Sequence, residues 1–196
     1  MLSHPLASSV VGRGSAALAV CLALAAFTAR AADEYEIDAM HASVTFKASH
    51  LGLSWTHGRF NQLSGGFNLS SKSPSFSLTI KADSIDTNNS KRDDHLRSPD
   101  FLDVKQFPTI TFKSTSAHKT GDSYEIEGKF TMHGVTKPLK FKLIGGETAE
   151  FPKGVERTGF STELTIARSA YGMDQMLDAI ADDVHIEISF EGTKKK

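Results

Sequence analysis

Between residues 35 and 192 apolar and polar side chains alternate one by one, again and again. Phe76, Leu78, Ile80 and Ala82 interleave with Ser77, Thr79, Lys81 and Asp83, and Tyr124, Ile126, Phe130 and Met132 with Glu125, Glu127, Lys129 and Thr131. The pattern returns in Leu139-Phe141-Leu143, Phe160-Thr162-Leu164-Ile166 and Val184-Ile186-Ile188-Phe190. Successive side chains of a strand point to opposite faces, so a period of two means one apolar and one wet face. Repeated this often, it describes an antiparallel sheet that must hide its apolar side by packing on a second sheet or by closing on itself.

The alternation places strands at about 35–50, 56–70, 75–86, 108–118, 122–133, 135–146, 156–168 and 183–192. Gly121-Asp122 and His133-Gly134 are turn signals between neighbouring strands and argue for up-and-down hairpins. Gly65-Gly66 inside the second strand suggests a bulge or sharp bend. From Ser90 to Phe107 the alternation stops: Ser90 and Asp93 are placed like a helix cap, Pro99 like the first turn of a second short helix, and Leu96, Phe101, Leu102 and Phe107 give the segment an apolar side. The expected fold is all-β, an eight-stranded antiparallel lipocalin-like barrel with a short helical segment at about 90–107 lying across one end.

Residues 1–31 read differently. Arg13 precedes an apolar run from Ser15 to Phe27, and Ala29-Arg30-Ala31 offers small residues where a signal peptidase cuts, so 1–31 is expected to be a cleaved signal peptide and 32–196 a single domain. The run is shorter than the ~20 residues that span a bilayer. Cys21, the chain's one cysteine, lies in this run behind Val20, which argues against a lipidated N-terminus and leaves the exported domain without a disulfide. Arg13 and Arg30 leave with the leader, taking the 22 basic residues to 20 against 23 acidic. That balance carries no nucleic-acid footprint. The basic run Lys194-Lys195-Lys196 reads as a solvated end.

An eight-stranded barrel has an interior just wide enough for side chains or one small ligand. Of 13 phenylalanines, nine (46, 60, 67, 76, 112, 130, 141, 160 and 190) fall in the expected strands, mostly on the apolar parity. A tall tube lined with rings suits a long hydrocarbon; the same rings could equally fill a solid core. Two polar residues share the inward parity near strand ends, His50 with Val44 and Phe46, and Arg168 with Leu164 and Ile166. A buried charge must be paired, so Arg168 is expected to bridge to Asp93, Asp94 or Asp100, or else to meet a ligand. No His-x-His or His-Glu-x-x-His pair and no nucleophile elbow occurs, so neither a metal site nor catalytic apparatus is legible.

Tyr35-x-Ile37-Asp38-x-x-His41-x-Ser43-Val44-x-Phe46-x-x-x-His50-Leu51-Gly52, then Gly58-x-Phe60, Ser84-Ile85-Asp86-Thr87, Arg92-Asp93-x-His95-Leu96, Asp100-Phe101, Phe107-Pro108-x-Ile110-x-Phe112, Gly128-x-x-Thr131-x-His133-Gly134-Val135-Thr136 and Arg168-Ser169-x-Tyr171-Gly172-Met173 resemble, in order and over essentially all of 32–196, the YceI-like proteins. The resemblance implies a periplasmic, lipocalin-like barrel that binds a polyisoprenoid or similar amphiphile. Ala39, Ala42, Ala170 and Tyr171 depart from the usual residues of that family.

Parity and resemblance together put the ligand against Phe46, His50, Phe60, Phe76, Leu78, Ile80, Phe112, Phe130, Met132, Phe141, Phe160, Leu164, Ile166 and Arg168. The expected function is a periplasmic carrier that sequesters a long-chain amphiphilic lipid, a polyprenyl compound or an isoprenoid quinone, with no catalytic residue, no metal and no cofactor beyond that lipid. The competing readings are an enzyme on such lipids using His50 or His95, and a non-catalytic docking module for a membrane redox protein. A second copy of the chain is the remaining partner to consider, as a homodimer.

Overall fold

The structure, a computed structural model, describes Met1, Leu2 and residues 33–195. The expected leader, apart from its first two residues, and Cys21 lie outside the described residues. Ten strands form one sheet: β1 Glu34–His50, β2 Ser54–Phe60, β3 Leu63–Asn68, β4 Ser75–Lys81, β5 Ile85–Asp86, β6 Thr109–Thr120, β7 Ser123–Met132, β8 Val135–Glu150, β9 Glu156–Ala167 and β10 Ile180–Lys194. β1 pairs with β10, Val44 opposite Ile188 and Phe46 opposite Ile186, and this ladder closes the sheet into a barrel.

The barrel wall is eight strands thick around because two walls are each made of two pieces. β1 runs beside β2 through Val44–His50 and beside β3 through Glu34–Glu36, so β2 and β3 are halves of one wall broken at Asn61 and Gln62. β4 and β5 are likewise halves separated by a 3-10 turn over Ala82–Ser84. The bend therefore does not sit where Gly65-Gly66 suggested: the β3–β4 ladder runs unbroken from Leu63–Ile80 to Asn68–Ser75. The glycines serve close approach instead. Gly65 has φ +149°, and a Cβ there would lie 2.1 Å from the Ser77 carbonyl oxygen.

Both turn signals correspond to hairpins. His133 and Gly134 carry φ of 50° and 73° between the paired Met132 and Val135, the left-handed pair that suits a tight hairpin. The helical segment is shorter than expected. One helix, α1 Ser90–Arg97, is capped by Asn89, whose side chain accepts from Arg92 N, and residues 98–107 continue as turns rather than as a second helix. Asp93 is not a cap; it is buried and accepts from Thr87 N at 2.8 Å and Thr87 Oγ1 at 2.6 Å.

The connections alternate between the two ends of the barrel. One end carries the β1–β2 turn, the 82–108 connection with α1, the β7–β8 turn and the 168–179 connection. At the other end six rings close the bore: Tyr35, Phe67, Phe76, Tyr124, Phe160 and Phe190, all buried. Phe67 stacks on Tyr35 at 4.9 Å and on Phe76 at 5.6 Å, and Phe160 meets Phe67, Phe76 and Tyr124 edge-on at 5.4–5.7 Å. Offset and edge-on pairs at these distances are the favoured aromatic geometries, so this end is solid.

Ion pairs sit outside the plug. β1 bulges between Ile37 and Ala42, which brings Asp38 to Arg157 Nη1 at 2.7 Å. Lys194 is not the solvated end its run suggested: its Nζ is 2.9 Å from Asp33 and 3.1 Å from Glu156.

Candidate functional site

Above the aromatic plug the inward side chains stop touching across the bore and enclose a cavity of about 910 Å³. Twelve of the residues singled out in the sequence stand on its wall: Phe46, His50, Phe60, Leu78, Ile80, Phe112, Phe130, Met132, Phe141, Leu164, Ile166 and Arg168. Phe76 and Phe160 do not. Strand alternation tells which face a residue occupies but not its height, and the pairing of Phe76 with Phe67 and of Phe160 with Phe190 sets both inside the plug.

Inward-facing Phe46, Phe60, Phe141, Leu164 and Ile186 are only partly buried although no polar neighbour calls for it, because they border the cavity. The wall is furnished by several strands at once, with Phe112 edge-on to Phe141 at 5.0 Å and Phe46 tilted on Phe60 at 5.6 Å. Room for the Phe46 ring comes from Gly58 on the adjoining strand.

The 82–108 connection forms the lid side. Arg92 donates from Nε to Thr87 Oγ1 and from Nη2 to the Thr87 carbonyl, both at 2.7 Å, and Arg97 Nη2 donates to the Ile85 carbonyl at 2.6 Å. These bonds moor α1 to β5. Leu96, Phe101 and Leu102 then face the cavity from above.

Arg168 is buried, 4% exposed, but no carboxylate of the lid pairs with it. Its guanidinium donates instead to four backbone carbonyls: Met173 at 2.7 Å, Gln175 at 2.8 Å, Ile180 at 2.8 Å and Ala181 at 3.1 Å. Burial pulls its pKa below the ordinary value, opposed by the charges of Asp182 and Asp174. The expected bridge to Asp93, Asp94 or Asp100 is therefore replaced by a fork that organises the 168–181 chain, and the ring of Phe101 lies 5.8 Å from the guanidinium carbon. Tyr171 extends the same cover, edge-on to Phe130 at 5.4 Å, with its carbonyl 2.9 Å from His133 Nδ1.

The polar part of the lining is one-sided. His50, His57, Lys91, Arg92, His95 and Arg168 border the cavity and no Asp or Glu does. All but Arg168 are exposed at the mouth. Lys91, Arg92, Met173 and Met176 escaped the strand-parity reading because they stand on the connections, where no period announces a face; three of these four lie in or next to the motifs Arg92-Asp93-x-His95 and Tyr171-Gly172-Met173. His95 is paired, its Nε2 3.0 Å from Asp100 Oδ2, on exposed ground. Among the described residues no group of three His, Cys, Asp or Glu is placed to hold a metal ion, and no helix is long and apolar enough to cross a membrane.

The chain has relatives in sequence and in fold. A UPF0312 protein of Pseudomonas aeruginosa is 41% identical over 186 residues, 90% of this chain and 96% of that protein. The crystal structure of the Campylobacter jejuni YCEI protein superposes with a TM-score of 0.68 at 28% identity, covering 76% of this chain and 90% of that one. A polyisoprenoid binding domain from Saccharophagus degradans shares the fold, with a TM-score of 0.66 at 16% identity over 82% of this chain and 98% of that one. The YceI-like domain model matches residues 35–192, all but the outermost residues of the closed barrel, and the chain belongs to that family.

Proposed function

We propose that this barrel is a periplasmic carrier that holds one long-chain isoprenoid or isoprenoid quinone, its chain in the apolar bore and its head at the mouth, after export directed by residues 1–31. The observation that carries the reading is the hollow itself. A cavity of about 910 Å³ lies near the top of the ~300–1,000 Å³ range of ligand pockets and is walled by aromatic and aliphatic side chains. A barrel serving only as a docking scaffold has no need of such a space. The polyisoprenoid binding domain of Saccharophagus degradans, built on the same fold, supports the ligand class.

Each methylene buried contributes about 0.8 kcal/mol, so affinity comes from the chain and selectivity from the head. A lining that offers donors and no carboxylate suits a head rich in acceptor oxygens, such as quinone carbonyls or a phosphate. Arg168 has committed its fork to four carbonyls, so the head belongs with His50, Lys91 and the Nη1 group of Arg92, whose Nε and Nη2 serve Thr87, rather than beside Arg168. The role is binding without turnover. Purifying the protein from its native compartment, extracting it with organic solvent and identifying the released molecule by mass spectrometry tests this: one isoprenoid per chain is the expected result, and recovery of none from folded protein would refute the reading.

A further inference from the structure

Five exposed large apolar side chains gather on the rim at the open end, whereas Met40, Ile144 and Phe151, also exposed, are scattered toward the closed end. Leu51 and Leu53 form the β1–β2 turn, Trp55 opens β2, and Met176 and Leu177 tip the 168–179 connection, with exposures of 56%, 84%, 49%, 46% and 44%. The two tips are one surface: Leu51 N donates to the Ala179 carbonyl at 2.7 Å. Both are held in shape, with Leu51 and Met176 in left-handed backbone at φ 53° and 57°. Contiguous exposed apolar side chains mark an interaction site rather than ordinary surface.

What covers this rim follows from what it surrounds. Met176 belongs at once to the rim and to the cavity wall, and Trp55 borders the same mouth with its ring on the outer face beside Lys47 and His185, so the apolar patch reaches the mouth of the bore. Beside it the wall is open: β2 pairs with β5 only at Arg59 and Phe60, which leaves Ser54–Gly58 without a strand partner on the side facing the lid. We propose that this rim is a bilayer-docking surface that seats the open side of the barrel on lipid, so that an isoprenoid passes between membrane and cavity without crossing water. The inference rests on the carrier reading above, because a chain of that length resides in a bilayer and every methylene exposed on the way carries a cost.

The charge pattern identifies the kind of contact. Lys47 lies over the Trp55 ring at 5.0 Å, an arrangement of aromatic ring and long cationic stem suited to the headgroup level. Asp174 and Asp178 flank Met176 and Leu177 and, with the exposed Asp94 and Asp100 of the lid, offset Lys47, Lys91 and Arg92. Docking is therefore apolar, and salt should barely weaken it.

The test uses the mature chain with vesicles of phosphatidylethanolamine and phosphatidylglycerol that contain no protein. Sedimentation reads docking, and the emission of Trp55, the single tryptophan, reads insertion through quenching by bromine-labelled phospholipid. Leu51→Asp with Leu53→Asp, and separately Leu177→Asp, alter side chains that do not line the cavity. Wild type is expected to sediment with the vesicles at low and at high salt, and each variant to bind at least about tenfold more weakly, to take up isoprenoid from vesicles more slowly and to keep the same amount of co-purified lipid. Equal sedimentation of wild type and variants overturns the proposal. So does wild type that stays in solution, leaves the vesicles in high salt, or docks only on vesicles carrying membrane proteins, which would put a protein on the rim. Co-purified lipid in a wild type that does not dock leaves the carrier reading standing and removes this one; docking by a barrel that retains no lipid does the reverse.

Discussion

Gly58 on β2 faces the ring of Phe46 on β1 so closely that a Cβ at 58 would lie 2.3 Å from Phe46 Cζ and 2.8 Å from Thr87 Cγ2. The contact joins two barrel strands and the root of the lid, and it decides how wide the bore is beside the mouth. Gly58→Ala is expected to push the Phe46 ring into the cavity. Overpacking of this kind costs about 1–3 kcal/mol, and the ring would occupy space proposed for the ligand. Thermal melting should show the destabilisation and mass spectrometry a fall in retained lipid. Unchanged stability and retention would mean that the strands part without resistance.

The plug and the cavity make separable demands. Phe76 is 3% exposed and packs against Phe67, Phe160 and Tyr124, so Phe76→Ala should cost about 3–5 kcal/mol while the folded fraction keeps its lipid. Phe60 borders the cavity and is only half-buried. Phe60→Asp should lose lipid with a smaller loss of stability, because its carboxylate lies on the ligand's path and can still reach water through the mouth. Denaturant titration paired with lipid extraction separates the two, and equal effects of both substitutions on retention would contradict a division between plug and cavity.

Arg168→Lys is expected to behave as a structural loss. A lysine is a point charge and cannot reproduce a planar fork that serves four carbonyls. Leaving buried acceptors unpaired costs about 1–3 kcal/mol each, so a loss of at least about 2 kcal/mol is expected, with faster proteolysis between 172 and 180. A variant as stable as wild type that merely loses lipid would instead make Arg168 a head-group ligand.

These positions show what periodicity in a sequence can and cannot convey. Which face a residue occupies is a local property, and Val184, Ile186, Ile188 and Phe190 all turn inward as their alternation requires. Height in the barrel is set by long-range register, so Phe76 and Phe112 look alike in sequence although one closes the bore and the other lines it. The break at Asn61-Gln62 carries a slip of parity, with Phe60 inward on β2 but Leu63 and Phe67 inward on β3, and two residues of irregular chain are too short an interruption for a period of two to separate the halves of one wall. Arg168 drew attention by its parity, but its partners are backbone carbonyls, which no side-chain pattern announces. The lid residues Lys91 and Arg92 stand on a helix whose only local signal is its cap.

Stability should fall at both ends of the pH scale, for reasons that lie at the closed end. The Arg157 guanidinium, with help from His41 and the Met40 amide, holds Asp38 down at about 2 against an ordinary 3.8. A depressed carboxyl contributes stability above its unfolded value and loses it as pH falls through the folded one, so the acid limb should develop between about pH 4 and 2. Tyr35 behaves oppositely. Burial, then the neighbouring Glu156 that accepts its hydroxyl, raises it to about 12 from 10.0. Its contribution is complete below pH 10 and disappears as pH rises toward about 12. Melting temperature followed across pH should therefore show two shoulders, with Asp38→Asn flattening the acid one and Tyr35→Phe the alkaline one. An acid limb unchanged by Asp38→Asn would shift that role to Glu156, whose carboxyl Tyr35 and Lys194 also hold below its usual range.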